Sequence, residues 1–223
     1  MNPYLLPITD PASPLLENYR RLYQKISYYH KEKKLKSIGI TSSTVGEGKT
    51  LTSINLALTI AEDTTNRVAL LDCDFRRPKI DLYLGKRTRK GLADVIQGKA
   101  ELGEIMLPVD RSRINLTFLP LGNMEELQER DVYSFLYEKK LEPILQSLKS
   151  DHNYIIVDTP PILPIVDINY LAELFDGVLM VIRAGTTSRD TIQASLEQLD
   201  RKNVIGIVFN GTQRQLSSKY KYE

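Results

Sequence analysis

The chain has 223 residues, 42% of them apolar and 26% charged, with a net charge of +2 at neutral pH. That is enough chain for one α/β domain to bury its own core, and so small a net charge gives no ground for nucleic-acid binding. A lone cysteine, Cys73, excludes an internal disulfide framework and suits a reducing cytosol. No run of about 18 apolar residues marks a membrane span, and the Asn-Pro-Tyr start lacks a signal-peptide pattern.

Residues 1–12 carry three of the 11 prolines and are expected to form an extended arm. Ser13 before Pro14 is an N-cap followed by proline at the first helical position. Leu15, Leu16, Tyr19, Leu22, Tyr23 and Ile26 recur at helical spacing, which predicts a helix over 14–33 with one face on the body. Its basic end, 31–36, suits a solvated helix terminus and an anionic partner equally well.

Residues 37–50, Ser-Ile-Gly-Ile-Thr-Ser-Ser-Thr-Val-Gly-Glu-Gly-Lys-Thr, take an apolar strand through a small glycine-bearing loop into a helical pattern, Leu51, Ile54 and Leu58. That layout is a phosphate-binding loop, in which loop amides and a helix N-terminus surround an anion. Ser43 stands where G-x-x-x-x-G-K-[ST] has its first glycine. Ser43, Gly46, Glu47, Gly48 and Leu51 frame the expected nucleotide site. Within it Lys49 reaches the β- and γ-phosphates and the Thr50 hydroxyl binds Mg²⁺.

Helix 49–62 leads through a polar turn to a short apolar strand, 67–71, of the kind buried in parallel sheets. The strand ends in Asp72-Cys73-Asp74-Phe75-Arg76-Arg77-Pro78. On an extended segment i and i+2 point the same way, so both Asp72 and Asp74 are expected to face the phosphates. Cys73 between them reads as a small apolar side chain. A polar, basic loop over 81–91, a short helix at 91–97, a strand at 114–119 and a long helix at 131–149 follow. Tyr154-Ile-Ile-Val-Asp158 is a further strand, whose Asp158 suits a metal-holding role. Helix 167–175, strand 177–182, helix 188–200 and strand 204–209 complete the alternation, which predicts a mostly parallel sheet covered by helices on both faces. Ligands in such sheets bind at the carboxyl ends of the strands, where the phosphate loop, Asp72, Asp74, Asp158 and Asn210 all fall.

These residues resemble the bacterial tyrosine kinases of capsule and exopolysaccharide synthesis over nearly the whole chain, from about Ser13 to Asn210. The phosphate loop 43–50 is similar to the family's. More specific is the strand ending D-x-D-x-R-x-P, met by Asp72, Asp74, Arg76 and Pro78. Asp158-Thr-Pro-Pro161 matches the second acidic motif, and Arg183-Ala-Gly185 and Val208-Phe-Asn-Gly211 match later strands. The resemblance implies a cytoplasmic P-loop kinase domain over 13–212, with ATP and Mg²⁺ held by Lys49, Thr50, Asp72 and Asp158. It makes Asp74 (or Asp72) the base that activates a tyrosine hydroxyl and brings Asn210 toward the adenine. It also implies autophosphorylation, in trans, of a tail, here 213–223 with Tyr220 and Tyr222, and recruitment to the inner membrane face by a membrane-spanning activator. The family's Glu-x-x-Arg-x-x-Arg pattern, linked to self-association into a ring, is present only as Glu17 and Arg20, with Tyr23 in the third place. The family's proline-rich stretch before the long helix is replaced by Gly122-Asn-Met-Glu-Glu126. The alternatives are a switch ATPase of the partitioning and septum-placing group, which carries an extra loop lysine where this chain has Thr44, and a non-catalytic nucleotide-binding regulator of polysaccharide export.

Overall fold

A computed structural model describes residues 3–109, 114–123, 140–163, 168–199 and 202–212. Two helices open it: the short α1 (Leu6–Thr9) and, after the Ser13 N-cap, the 20-residue α2 (Pro14–Lys33). The strand–helix alternation then runs β1 (Ser37–Ser42), α3 (Lys49–Ala61), β2 (Val68–Asp72), α4 (Ile80–Leu84), α5 (Leu92–Ile96) and α6 (Leu102–Ile105). It continues through β3 (Leu107–Pro108), β4 (Leu116–Leu119), α7 (Leu141–Asp151), β5 (Tyr154–Asp158), α8 (Ile168–Leu174), β6 (Gly177–Arg183), α9 (Arg189–Gln198) and β7 (Val204–Asn210). The strands form one sheet in the order β3-β4-β2-β5-β1-β6-β7, parallel except for the β3 edge.

Strands β1, β2 and β5 are buried at every position, as a parallel sheet covered on both faces requires. Period-two alternation divides their side chains between two cores. Ile38, Ile40, Val68, Leu70 and Ile156 pack on α3 through Ile54, Leu58 and Ile60. Ala69, Leu71, Ile155 and Val157 face Leu141, Leu145 and Leu148 of α7. Cys73 lies fully buried in that second core, and burial pushes its thiol up, away from the reactive thiolate.

Three expectations change. The arm over 1–12 is not extended throughout: α1 forms because Asn55 of α3 docks it, accepting from the Leu6 N–H at 2.8 Å and donating to the Tyr4 carbonyl at 2.9 Å. The basic segment 81–91 begins inside α4. The sheet gains the two-residue edge strand β3, too short to leave a sequence pattern. Helix α7 is described from Leu141; the earlier part of the expected helix over 131–149, the 213–223 tail and its Tyr220 and Tyr222 lie outside the described residues. Among the described residues no helix is long and apolar enough to cross a membrane.

Candidate functional site

Sheet register brings the site together. Asp158 closes β5 directly opposite Asp72 at the end of β2 on one side and Ile40 of β1 on the other. The phosphate loop leaves β1 at the same edge. Chain exit from β5 is stitched to β1 by the Thr159 hydroxyl, which donates to the Ile40 carbonyl at 3.0 Å, and by the Ile162 N–H to the Ser42 carbonyl at 2.8 Å.

The loop itself is held by its own side chains. Gly46 and Gly48 adopt φ of +90° and +95°, the left-handed region that favours glycine. A Cβ on Gly48 would meet Asn210 Nδ2 at 2.0 Å. Glu47 is buried. One of its carboxylate oxygens accepts the Thr44 N–H at 2.8 Å, and the other accepts the Thr187 hydroxyl from the loop after β6. Asn210 Nδ2 donates to the Glu47 carbonyl at 2.9 Å, and its Oδ1 accepts the Gly211 N–H. Ser43 is fully buried, its hydroxyl directed at the Met180 thioether.

Lys49 begins α3 and turns inward. Its Nζ lies 2.6 Å from Asp74 Oδ2 and 3.6 Å from Asp158 Oδ2, with the Thr50 hydroxyl at 3.4 Å. Burial works against its charge, but Asp158 and Asp74 overcome that and hold its pKa above the ordinary lysine value. Burial pushes the Asp158 carboxyl up, opposed by the Lys49 ammonium. Its Oδ1 accepts the Ser53 hydroxyl at 3.0 Å, while its Oδ2 is buried without a hydrogen bond. Asp72 is turned into its own loop: Oδ1 accepts the Asp74 N–H, and Oδ2 accepts those of Lys79 and Ile80, all at 3.1 Å. Burial, then the Asp158 charge, push Asp72 up to about 8 despite those amides.

A cleft of about 420 Å³ opens over this arrangement, lined by Gly46, Gly48, Lys49, Thr50, Leu51, Asp74 and Asn210 among others. Asp72 and Asp158 stand behind the lining. The cleft also takes Arg76, Arg77, Lys79 and Arg183, none of which stood out in the sequence as site residues. Their signal was present for Arg76 in the D-x-D-x-R-x-P run. For Arg183 it lay in the Arg183-Ala-Gly185 match, at the end of a buried strand. Away from the cleft, Glu17 pairs with Arg21 at 3.6 Å and Arg20 with Glu62 at 3.7 Å, all four partly exposed.

A mostly parallel sheet with a glycine-bearing loop after the inner strand β1, a lysine at the helix start and acids ending β5 and β2 defines a P-loop nucleotide-binding domain. The AAA domain family matches residues 35–204. The tyrosine-protein kinase YwqD of Bacillus subtilis is 28% identical over 222 residues, covering 98% of this chain and 90% of that protein. The tyrosine-protein kinase CpsD of Streptococcus agalactiae is 30% identical over 209 residues, covering 92% and 87%. The kinase domain of the Escherichia coli tyrosine kinase ETK shares the fold at a TM-score of 0.85, with 24% identity over 98% of this chain and 84% of that one. The chain belongs to the AAA domain family and, within it, to the bacterial protein-tyrosine kinases.

Proposed function

We propose that the cleft binds ATP with Mg²⁺ and passes the γ-phosphoryl group to tyrosine hydroxyls, those of Tyr220 and Tyr222 included. The observation that carries this reading is the Lys49–Asp74 contact of 2.6 Å inside the cleft, backed by the buried Oδ2 of Asp158, which lies 3.6 Å from the Lys49 ammonium and has no hydrogen bond. Lys49 supplies the cation for the β- and γ-phosphates. Asp74, the one acid lining the cleft among the described residues, is placed to accept the tyrosine proton. Among the described residues no three His, Cys, Asp or Glu side chains enclose a metal by themselves. That fits Mg²⁺, which one or two carboxylates hold together with phosphate oxygens and water. Thr50 and Asp158 are the residues for it, and Mg²⁺ would neutralise charge on the phosphates. Asp72 has its oxygens committed to three amides, so its role is to set the 74–80 loop and, through it, Asp74.

Catalysis in this scheme rests on positioning and charge neutralisation rather than on a covalent intermediate. By the family resemblance the kinase acts in capsule or exopolysaccharide synthesis, at the inner membrane face, with a membrane-spanning activator. Incubation with labelled ATP and Mg²⁺ followed by phosphotyrosine mapping tests the reading. Label is expected on Tyr220 or Tyr222 and is lost in Lys49→Met. Phosphate release with no labelled protein would reassign the chain as a switch ATPase.

A further inference from the structure

Four cations on the cleft rim have no assigned work. Arg76, Arg77, Lys79 and Arg183 are exposed and line the cleft. None lies within 4 Å of a carboxylate among the described residues, and the one acid lining the cleft, Asp74, is already paired with Lys49. Lys49 is the cation placed for the inner phosphates, and a magnesium-bound triphosphate is partly neutralised, so four further cations on the rim exceed what the nucleotide calls for. Guanidinium groups take carboxylates in a forked, two-bonded geometry that ammonium groups cannot match. The chain's own tail offers the opposite of a match. Tyr220 lies between Lys219 and Lys221, and Tyr222 follows Lys221, with Glu223 the tail's lone acid.

We infer that the acceptor this cleft favours is a tyrosine flanked by aspartate or glutamate on another protein, and that the tail tyrosines are electrostatically the poorer acceptors. This rests on the kinase reading of the cleft. The tail reacts through its tethering, which raises its local concentration without any favourable contact. An external acidic segment gains both attraction and orientation, and a basic one is rejected by like charge. A bilayer surface could also meet these cations, but they ring a concave cleft around Lys49 and Asp74, into which a peptide fits and a flat membrane does not.

The test compares two synthetic peptides as acceptors for the full chain with ATP and Mg²⁺. One is Glu-Glu-Tyr-Glu-Glu and the other is the tail sequence Ser-Ser-Lys-Tyr-Lys-Tyr-Glu. The acidic peptide is expected to show a kcat/KM about tenfold higher at low salt, narrowing to about twofold near 0.5 M as charges are screened. Arg76→Glu with Arg77→Glu should lower that kcat/KM about tenfold while the KM for ATP moves less than about twofold. Equal efficiency on both peptides overturns the inference and leaves the kinase reading intact. A rise in the ATP KM matching the peptide effect overturns it too, since the rim would then serve the nucleotide. So does binding to anionic vesicles that the charge reversals abolish while the peptide ratio stays put. Labelling of neither peptide nor tail overturns the kinase reading and this inference together.

Discussion

Replacing Lys49 by methionine should destabilise the protein in a pH-dependent way. The ammonium lies 2.6 Å from Asp74 and 3.6 Å from Asp158, and Asp158 is completely buried. Removing one partner of a buried pair typically costs about 3–5 kcal/mol, because the other charge is left uncompensated. The carboxyl can escape by taking up a proton, which limits the cost. Starting from the ordinary 3.8, holding one carboxyl protonated at pH 7 costs about 1.36 kcal/mol per unit, or roughly 4 kcal/mol. At pH 5 the same limit falls to about 1.6 kcal/mol. In the variant the folded state therefore binds a proton that the unfolded state has released, and its stability drops as pH rises from about 4 toward 7. Denaturant unfolding of both proteins at pH 5 and pH 7 measures the difference. Destabilisation of about 3–4 kcal/mol at pH 7, shrinking to below about 2 at pH 5, is expected. A loss that is the same at both values, or below about 1 kcal/mol at pH 7, would show that the cluster is hydrated and refute the argument.

Gly48→Ala forces a Cβ into the left-handed region and to within 2.0 Å of Asn210 Nδ2; ATP affinity by titration should fall by about tenfold or more, with partial recovery when Asn210→Ala clears the space. Glu47→Ala unties the phosphate loop from Thr44 and Thr187 and should raise the KM for ATP several-fold. Glu47→Gln keeps an acceptor for the Thr44 amide and should restore most of the affinity. Unequal melting temperatures with equal KM values would mark Glu47 as merely structural. At Asp176 burial raises the carboxyl's pKa, but the Lys149 ammonium and the amides of Ser37 and Lys36 outweigh that and hold it below 3.8. A depressed carboxyl stabilises above its unfolded pKa and loses that contribution as pH falls through the folded one. Asp176→Asn should thus cost about 1–2 kcal/mol at pH 7, a cost that shrinks as the pH is taken down from 3.8 through the lowered folded value, read by urea midpoints.

How far the sequence disclosed this site follows from the range of the interactions. The phosphate loop was legible because strand, glycine turn and helix start are consecutive, and each has a local signature. Strand ends were legible for the same reason: four apolar residues before Asp158 mark β5 without any tertiary knowledge. The turning of Asp72 into its own loop was not, since nothing local says that its carboxylate meets the amides of Lys79 and Ile80 seven and eight residues on. That same contact starts α4 inside what reads as a basic loop, because its first amides are satisfied from a distance rather than by a neighbouring N-cap. Glu47 reaching Thr187 and Asn210 reaching Glu47 span 140 and 163 residues. Such contacts leave no periodicity and no spacing to read.

Most of the site is already set in place, and the exception defines a last expectation. The cradle is tied at Glu47 and Asn210, and Asp72 and Asp158 sit on buried strand ends. Lys49 alone reaches its place by a flexible stem, and it spends its charge on Asp74 at 2.6 Å. To serve a phosphate, the ammonium must give up part of that contact, so Asp74 competes with the nucleotide for Lys49 before it can act on a tyrosine. Asp74→Asn removes the competitor and the base at once. Phosphoryl transfer to tyrosine should fall by about a hundredfold or more, the usual worth of a positioned base. ATP affinity, measured by titration of the same variant, should hold or rise several-fold. Affinity and transfer lost in equal proportion would mean that Asp74 holds the metal with the triphosphate, and the base would have to be sought elsewhere.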